Sequence, residues 1–115
     1  VEASSHEAFK NAVVNAAEGD TQLSMKQLTP VRLLKNDFYR QVQAAEERGA
    51  GVDELKQLLG RARAKKGMYE GDLTEGELEI GQVSALVHNI LPAGDIVKNI
   101  WEEFCQGIEN PIKRN

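Results

Sequence analysis

The sequence predicts a mainly α-helical chain, and three observations carry that prediction. Apolar residues recur at helical spacing, most clearly at Ile96, Val97, Ile100, Trp101 and Phe104, opposite Asp95, Lys98, Asn99, Glu102 and Glu103. Capping-box spacings stand at Ser4–Glu7 and Thr74–Glu77. Strand-like alternation is confined to Thr21–Asn36, too little to build a β/α barrel from this chain alone.

In chain order, Ser4 and Glu7 open a helix over 5–17, with Phe9, Val13 and Ala16 as a narrow apolar stripe. Gly19 is placed to close it in a left-handed cap. Leu23 and Met25 alternate with polar neighbours, as do Val31 and Leu33 after Pro30, so 21–36 reads as extended chain or short strand. A helix over 37–48 turns Phe38, Val42 and Ala45 inward. Gly49 and Gly51 bracket a turn, Asp53 caps a short helix through Leu59, and Gly60 interrupts before RARAKK adds a turn or two. Gly67, Gly71 and Gly76 then space out the approach to two terminal helices. The first, over 75–89, places Ile80, Val83 and Val87 on one stripe, with Gly81 and Ala85 beside it. Leu91 before Pro92 ends it, and Pro92 suits the first turn of the second helix. The expected result is two amphipathic helices at a tight corner, with the Trp101 face buried. The organisation is a helical segment over 1–107 and a polar, loosely packed tail over 108–115.

Composition narrows the function. A chain of 115 residues allows one domain, burying only about two-thirds of its unfolded surface. Hydrophobic residues make up 41% and aromatics 5%, so the core is aliphatic and modest. The net charge of −4 argues against a nucleic-acid or anionic-membrane partner. No apolar run approaches the roughly 20 residues of a membrane span. The single Cys105 excludes an internal disulfide and fits a reducing compartment. With no signal sequence and a start at Val1 rather than Met, the expectation is a cytoplasmic protein seen without its N-terminal part.

Candidate chemistry is sparse. His6 and His88 have neither metal-site spacing nor a neighbouring nucleophile, and read as a capping-turn and a helix-end histidine. Glu75, Glu77 and Glu79 stabilise a helix start and repel phosphate from it. Arg61, Arg63, Lys65 and Lys66 read as a solvated face or as a patch for an acidic or phosphorylated partner. Cys105 reads as an inert, half-buried thiol. No catalytic residue and no metal ligand is assigned. Gly81-Gln82, read alone, is a close-packing point in a helix.

Four ordered words change this reading. Glu70-Gly71-Asp72, three residues, Gly76, four residues, then Gly81-Gln82, an apolar stretch, Pro92 and an Ile/Val-rich helix follow ASSH..FK (3–10), EGDT (18–21) and TPVRLLKN (29–36). In this order they resemble the C-terminal end of the FMN-dependent barrel enzymes comprising nitronate monooxygenases and flavin-containing enoyl-acyl-carrier-protein reductases. The resemblance covers 1–104. It implies that the chain completes a flavin-binding (β/α)8 barrel, with the catalytic His, the phosphate-binding glycine loops and most barrel strands upstream of Val1. It places Gly81 in close packing near the flavin and gives Gln82 a polar contact there. The implied cofactors are FMN and NAD(P)H, and the implied reaction is enoyl-thioester reduction in fatty-acid synthesis. Oxidation of a nitronate by O₂ is the alternative within the class. The implied partners are the rest of the barrel, a small-molecule or acyl-thioester substrate, and a second copy in a homodimer. Glu79 stands where the reductases often carry Met, a departure from their acyl pocket. From another class, a non-catalytic helical interaction module would dock through its Trp101 face.

Overall fold

The computed structural model describes residues 1–110. Its regular elements are α1 (Glu7–Asn15), β1 (Thr21–Ser24), β2 (Val31–Leu34), α2 (Asp37–Glu47), α3 (Val52–Leu59), a π-helical turn (Lys65–Tyr69), a 3-10 turn (Gln82–Leu86) and α4 (Ala93–Glu109). About half of the chain is helical, around one small antiparallel sheet.

The 21–36 region is a hairpin, with Thr21 opposite Leu34 and Ser24 opposite Val31. Met25 leaves β1 in the left-handed region at φ 53° and is buried. The core assembles where this hairpin meets α2. Met25, Leu33, Phe38, Tyr39 and Val42 form one cluster, flanked by Leu28, Val31, Leu58 and Leu59. Ala45, Ala50 and Leu55 extend it between α2 and α3. The predicted inward residues of α2 are therefore its buried ones, with Tyr39 added. Asn36 starts this helix, its Oδ1 accepting from the Tyr39 amide at 2.9 Å.

Two expected caps are replaced. His6 rather than Ser4 caps α1, its Nδ1 accepting from the Ala8 amide at 3.0 Å. The cause is tertiary, because the His6 amide is already committed to the Met68 carbonyl at 2.7 Å. Gly71 (φ 83°) lies beneath the imidazole, where a β-carbon would come within 2.6 Å of His6 Cε1. Helix α3 starts one residue before Asp53, with Gly51 at its cap position and no side-chain cap.

The helix expected over 75–89 does not form. Asp72 holds a single turn, its Oδ1 accepting from the Thr74 and Glu75 amides at 3.1 and 2.9 Å. The chain then runs extended alongside β2, with Leu34 N donating to Leu78 O at 2.9 Å and Leu33 bridging Glu79. Leu78 is fully buried there. Gly76 and Gly81 each weaken a helix by about 1 kcal/mol, and burial of Leu78 on the sheet outweighs the remaining helical pattern. Gly76 also crosses the Gly67 backbone so closely that a β-carbon on Gly76 would stand 2.2 Å from Gly67 Cα.

The terminal helix forms as expected from Pro92, and the Glu2 carboxylate accepts from the Ala93 amide at 2.8 Å. Its apolar face is not buried. With no helix over 75–89 to receive it, Trp101 remains 62% exposed, and Val97, Ile100 and Phe104 are exposed beside it. Trp101 and Phe104 touch each other, their ring centroids 5.5 Å apart. Because α4 runs through Glu109, the first residues of the expected tail are helical, and the rest of that tail, 111–115, lies outside the described residues.

Candidate functional site

Gly81 and Gln82 lie at the entry of the 3-10 turn rather than inside an α-helix. Gly81 is extended (φ −78°), so no left-handed geometry calls for glycine there. Its surroundings are open, since a β-carbon would meet only Val83 Cγ1 at 3.9 Å. Among the described residues, nothing packs closely on Gly81. Ser84, two residues past Gln82, anchors the turn by burial, and its Oγ has no hydrogen-bond partner among the described residues.

Gln82 is exposed and faces a groove of ≈ 880 Å³ between the end of α1, the hairpin and the 3-10 turn. Asn15, Glu18, Thr21, Arg32, Leu86 and His88 also line it. Arg32 is held from β2 by Thr21, its Nη1 donating to Thr21 Oγ1 at 3.2 Å and to Thr21 O at 3.4 Å. His88 is not at a helix end; it stands in the extended segment after the turn. No sequence signal brings Arg32 and His88 to Gln82, because the groove closes only once the hairpin and the turn pack.

A second constellation was also illegible beforehand. Glu77, expected at a helix start, is only 7% exposed and shares a ≈ 420 Å³ pocket with Glu79, Met25, Leu28, Pro30 and Leu59. Burial, then the hydrogen bond and charge of Glu79, push the Glu77 carboxyl up to about 7.

The basic stretch divides. Arg61 is exposed. Arg63 is structural, with Nη1 donating to Glu75 O at 2.8 Å and to Glu75 Oε2 at 3.2 Å. Lys65 and Lys66 are exposed and lie 3.8 and 3.5 Å from the carboxylates of Glu70 and Asp72. Cys105 is a half-buried free thiol. Among the described residues, no group of three or more His, Cys, Asp or Glu side chains is placed to hold a metal, and no helix is long and apolar enough to cross a membrane.

The family profile described as nitronate monooxygenase matches residues 1–103. The chain belongs to the nitronate monooxygenase family. Proteins of this family are FMN-dependent oxidoreductases. Among solved structures, this nitronate monooxygenase-family chain is similar to FabK from Thermotoga maritima at 28% identity and a TM-score of 0.81, over 91% of this chain and 33% of that one. A methionine-to-alanine mutant of the same protein matches at 28% identity and a TM-score of 0.76, over 95% and 32%. The chain thus spans about a third of the length of these relatives. No curated protein matches it.

Proposed function

We propose that this chain is the C-terminal portion of an NAD(P)H-dependent, FMN-dependent enoyl-acyl-carrier-protein reductase. The observation that carries the reading is the FabK likeness, which extends over 91% of the chain at a TM-score of 0.81. On this reading the barrel strands, the phosphate cradle and the catalytic groups belong to the rest of the protein, and these residues wall one side of the flavin site. When bound, FMN supplies hydride transfer between the nicotinamide and an acceptor. The open backbone at Gly81 leaves room for a flat ring, and the Gln82 amide offers one donor edge and one acceptor to its rim. The exposed α4 face then packs onto the rest of the barrel or onto a second copy in a homodimer. The single cysteine fits a reducing, cytoplasmic location.

Nitronate oxidation is the second reading. Glu79 favours it, because a carboxylate beside buried Glu77 is a poor wall for an apolar acyl chain. The test uses the full-length protein: flavin absorbance after purification, then NADPH oxidation with an enoyl thioester against O₂ uptake with an alkyl nitronate. Bound FMN with thioester-dependent NADPH oxidation is the expected result. Nitronate-dependent O₂ uptake alone selects the second reading, and a flavin-free protein overturns both.

A further inference from the structure

We propose that Arg32 is the centre of an anion subsite that holds a phosphate group of the substrate, on the groove it shares with Gln82 and His88. Arg32 sits on β2 opposite Leu23, diagonal to Thr21 across the hairpin. The backbone carbonyl and hydroxyl of Thr21 both accept from Nη1, which fixes the guanidinium plane and, among the described residues, leaves the Nε–Nη2 edge without a partner. Arg40, Arg48 and Arg63 each meet a carboxylate, whereas among the described residues Arg32 meets none. A half-buried, pre-positioned and unpaired guanidinium suits an oxyanion that can accept two parallel hydrogen bonds. Among the described residues Glu18 is the one acid on this groove; it is exposed and makes no ion pair with Arg32.

The volume indicates the size of the ligand. At ≈ 880 Å³ the groove is in the range of cofactor and nucleotide sites, far larger than a free phosphate requires. Asn15, Gln82 and His88 supply hydrogen-bonding side chains for the remainder of such a molecule. The shared chemistry is a phosphate ester, carried either by the nicotinamide dinucleotide or by the pantetheine arm of an acyl thioester. The choice between these two bearers rests on the proposed oxidoreductase function; the anion subsite itself does not.

The test is calorimetric titration of inorganic pyrophosphate into the full-length protein and its Arg32→Gln and Arg32→Lys variants. Loss of a charge-assisted pair should weaken binding by roughly tenfold or more in Arg32→Gln, with partial recovery in Arg32→Lys. FMN content should not change. The KM that rises in step, for NADPH or for a crotonyl-pantetheine thioester, identifies the bearer, and two unmoved KM values overturn the substrate assignment. Equal pyrophosphate affinity in wild type and Arg32→Gln, or parallel loss of FMN, overturns the subsite. Should Arg32→Gln fail to fold, Thr21→Val removes the hydroxyl acceptor at 3.2 Å and leaves the guanidinium held only by the Thr21 carbonyl, its charge unchanged. A several-fold weaker pyrophosphate affinity is then expected, and an unchanged one overturns the pre-positioning. Gln82→Ala separates the two readings, since full FMN affinity in that variant sinks the flavin placement without touching the Arg32 result.

Discussion

The guanidinium of Arg63 lies over the ring of Phe38, 4.7 Å from its centroid. Phe38 is completely buried at the start of α2, and Arg63 closes the core above it while its Nη2 reaches the Leu58 carbonyl at 3.3 Å. One side chain thus ties α2, the end of α3 and the 73–76 turn together. Arg63→Ala removes a cation–π contact and leaves carbonyls without donors, so unfolding free energy should fall by roughly 2–4 kcal/mol. Arg63→Lys should recover less than half of that, because a single ammonium cannot fork to two carbonyls and stack at once. Urea unfolding of the three proteins checks this, and a Lys variant as stable as wild type would refute the geometry.

Asn36 makes the second tie. Its Oδ1 caps α2, and its Nδ2 donates to the carbonyls of Leu73 and Gly76, each at 2.8 Å. Asn36→Ala should cost about 2–4 kcal/mol, combining a lost cap with two unmet carbonyls. Asn36→Asp keeps the cap oxygen but turns a second oxygen toward those carbonyls. It should therefore be at least as destabilising as Ala in thermal unfolding, whereas a simple capping role predicts that Asp is tolerated.

These ties explain what the sequence could and could not reveal. Helix α2 was legible because its pattern is local: Phe38, Val42 and Ala45 recur at helical spacing. The extended character of 21–36 was legible as alternation at Leu23 and Val31–Leu33, but the antiparallel pairing of its two strands was not. The 75–89 segment carried a helical pattern too, but its fate was decided by Leu34, Asn36 and Arg63, none of which its own spacing encodes. Gly81-Gln82 stood out only through the family resemblance. Arg32 joined the same groove unseen, because strand register and the packing of a distant turn placed it there.

Glu77 should make stability depend on pH. Burial, followed by the hydrogen bond and charge of Glu79, raises its carboxyl from the ordinary 4.5 to about 7 in the folded chain. Between those values the folded state holds a proton that the unfolded state has released, so stability falls as pH rises through that window. Above the folded value the penalty is complete and flat; below 4.5 both states are protonated and it vanishes. Glu77→Gln should flatten the profile and be more stable than wild type at pH 8, by about 1–3 kcal/mol. Chemical unfolding at several pH values between 5 and 8 measures both curves. A wild-type stability that rises across this range would contradict the buried, unpaired carboxyl.

The flavin placement makes opposite demands on two neighbouring residues. In this chain Gly81 has open space around it and an ordinary backbone angle, so Gly81→Leu should leave the unfolding temperature of the protein nearly unchanged. If the flavin lies over that backbone, the leucine side chain occupies the ring's position and FMN affinity should fall by roughly a hundredfold or more, the order expected for steric exclusion worth about 3 kcal/mol. Gln82→Ala removes one polar contact and adds no steric block, so its loss should be smaller, about 0.5–1.5 kcal/mol in FMN affinity. Fluorescence titration of the flavin-stripped full-length variants gives both affinities, and their melting curves give the stability control. A Gly81→Leu protein with native melting and weakened FMN binding supports the placement, because a purely structural glycine would lose stability first. Unaltered affinity in Gly81→Leu would show that the ring does not approach this turn.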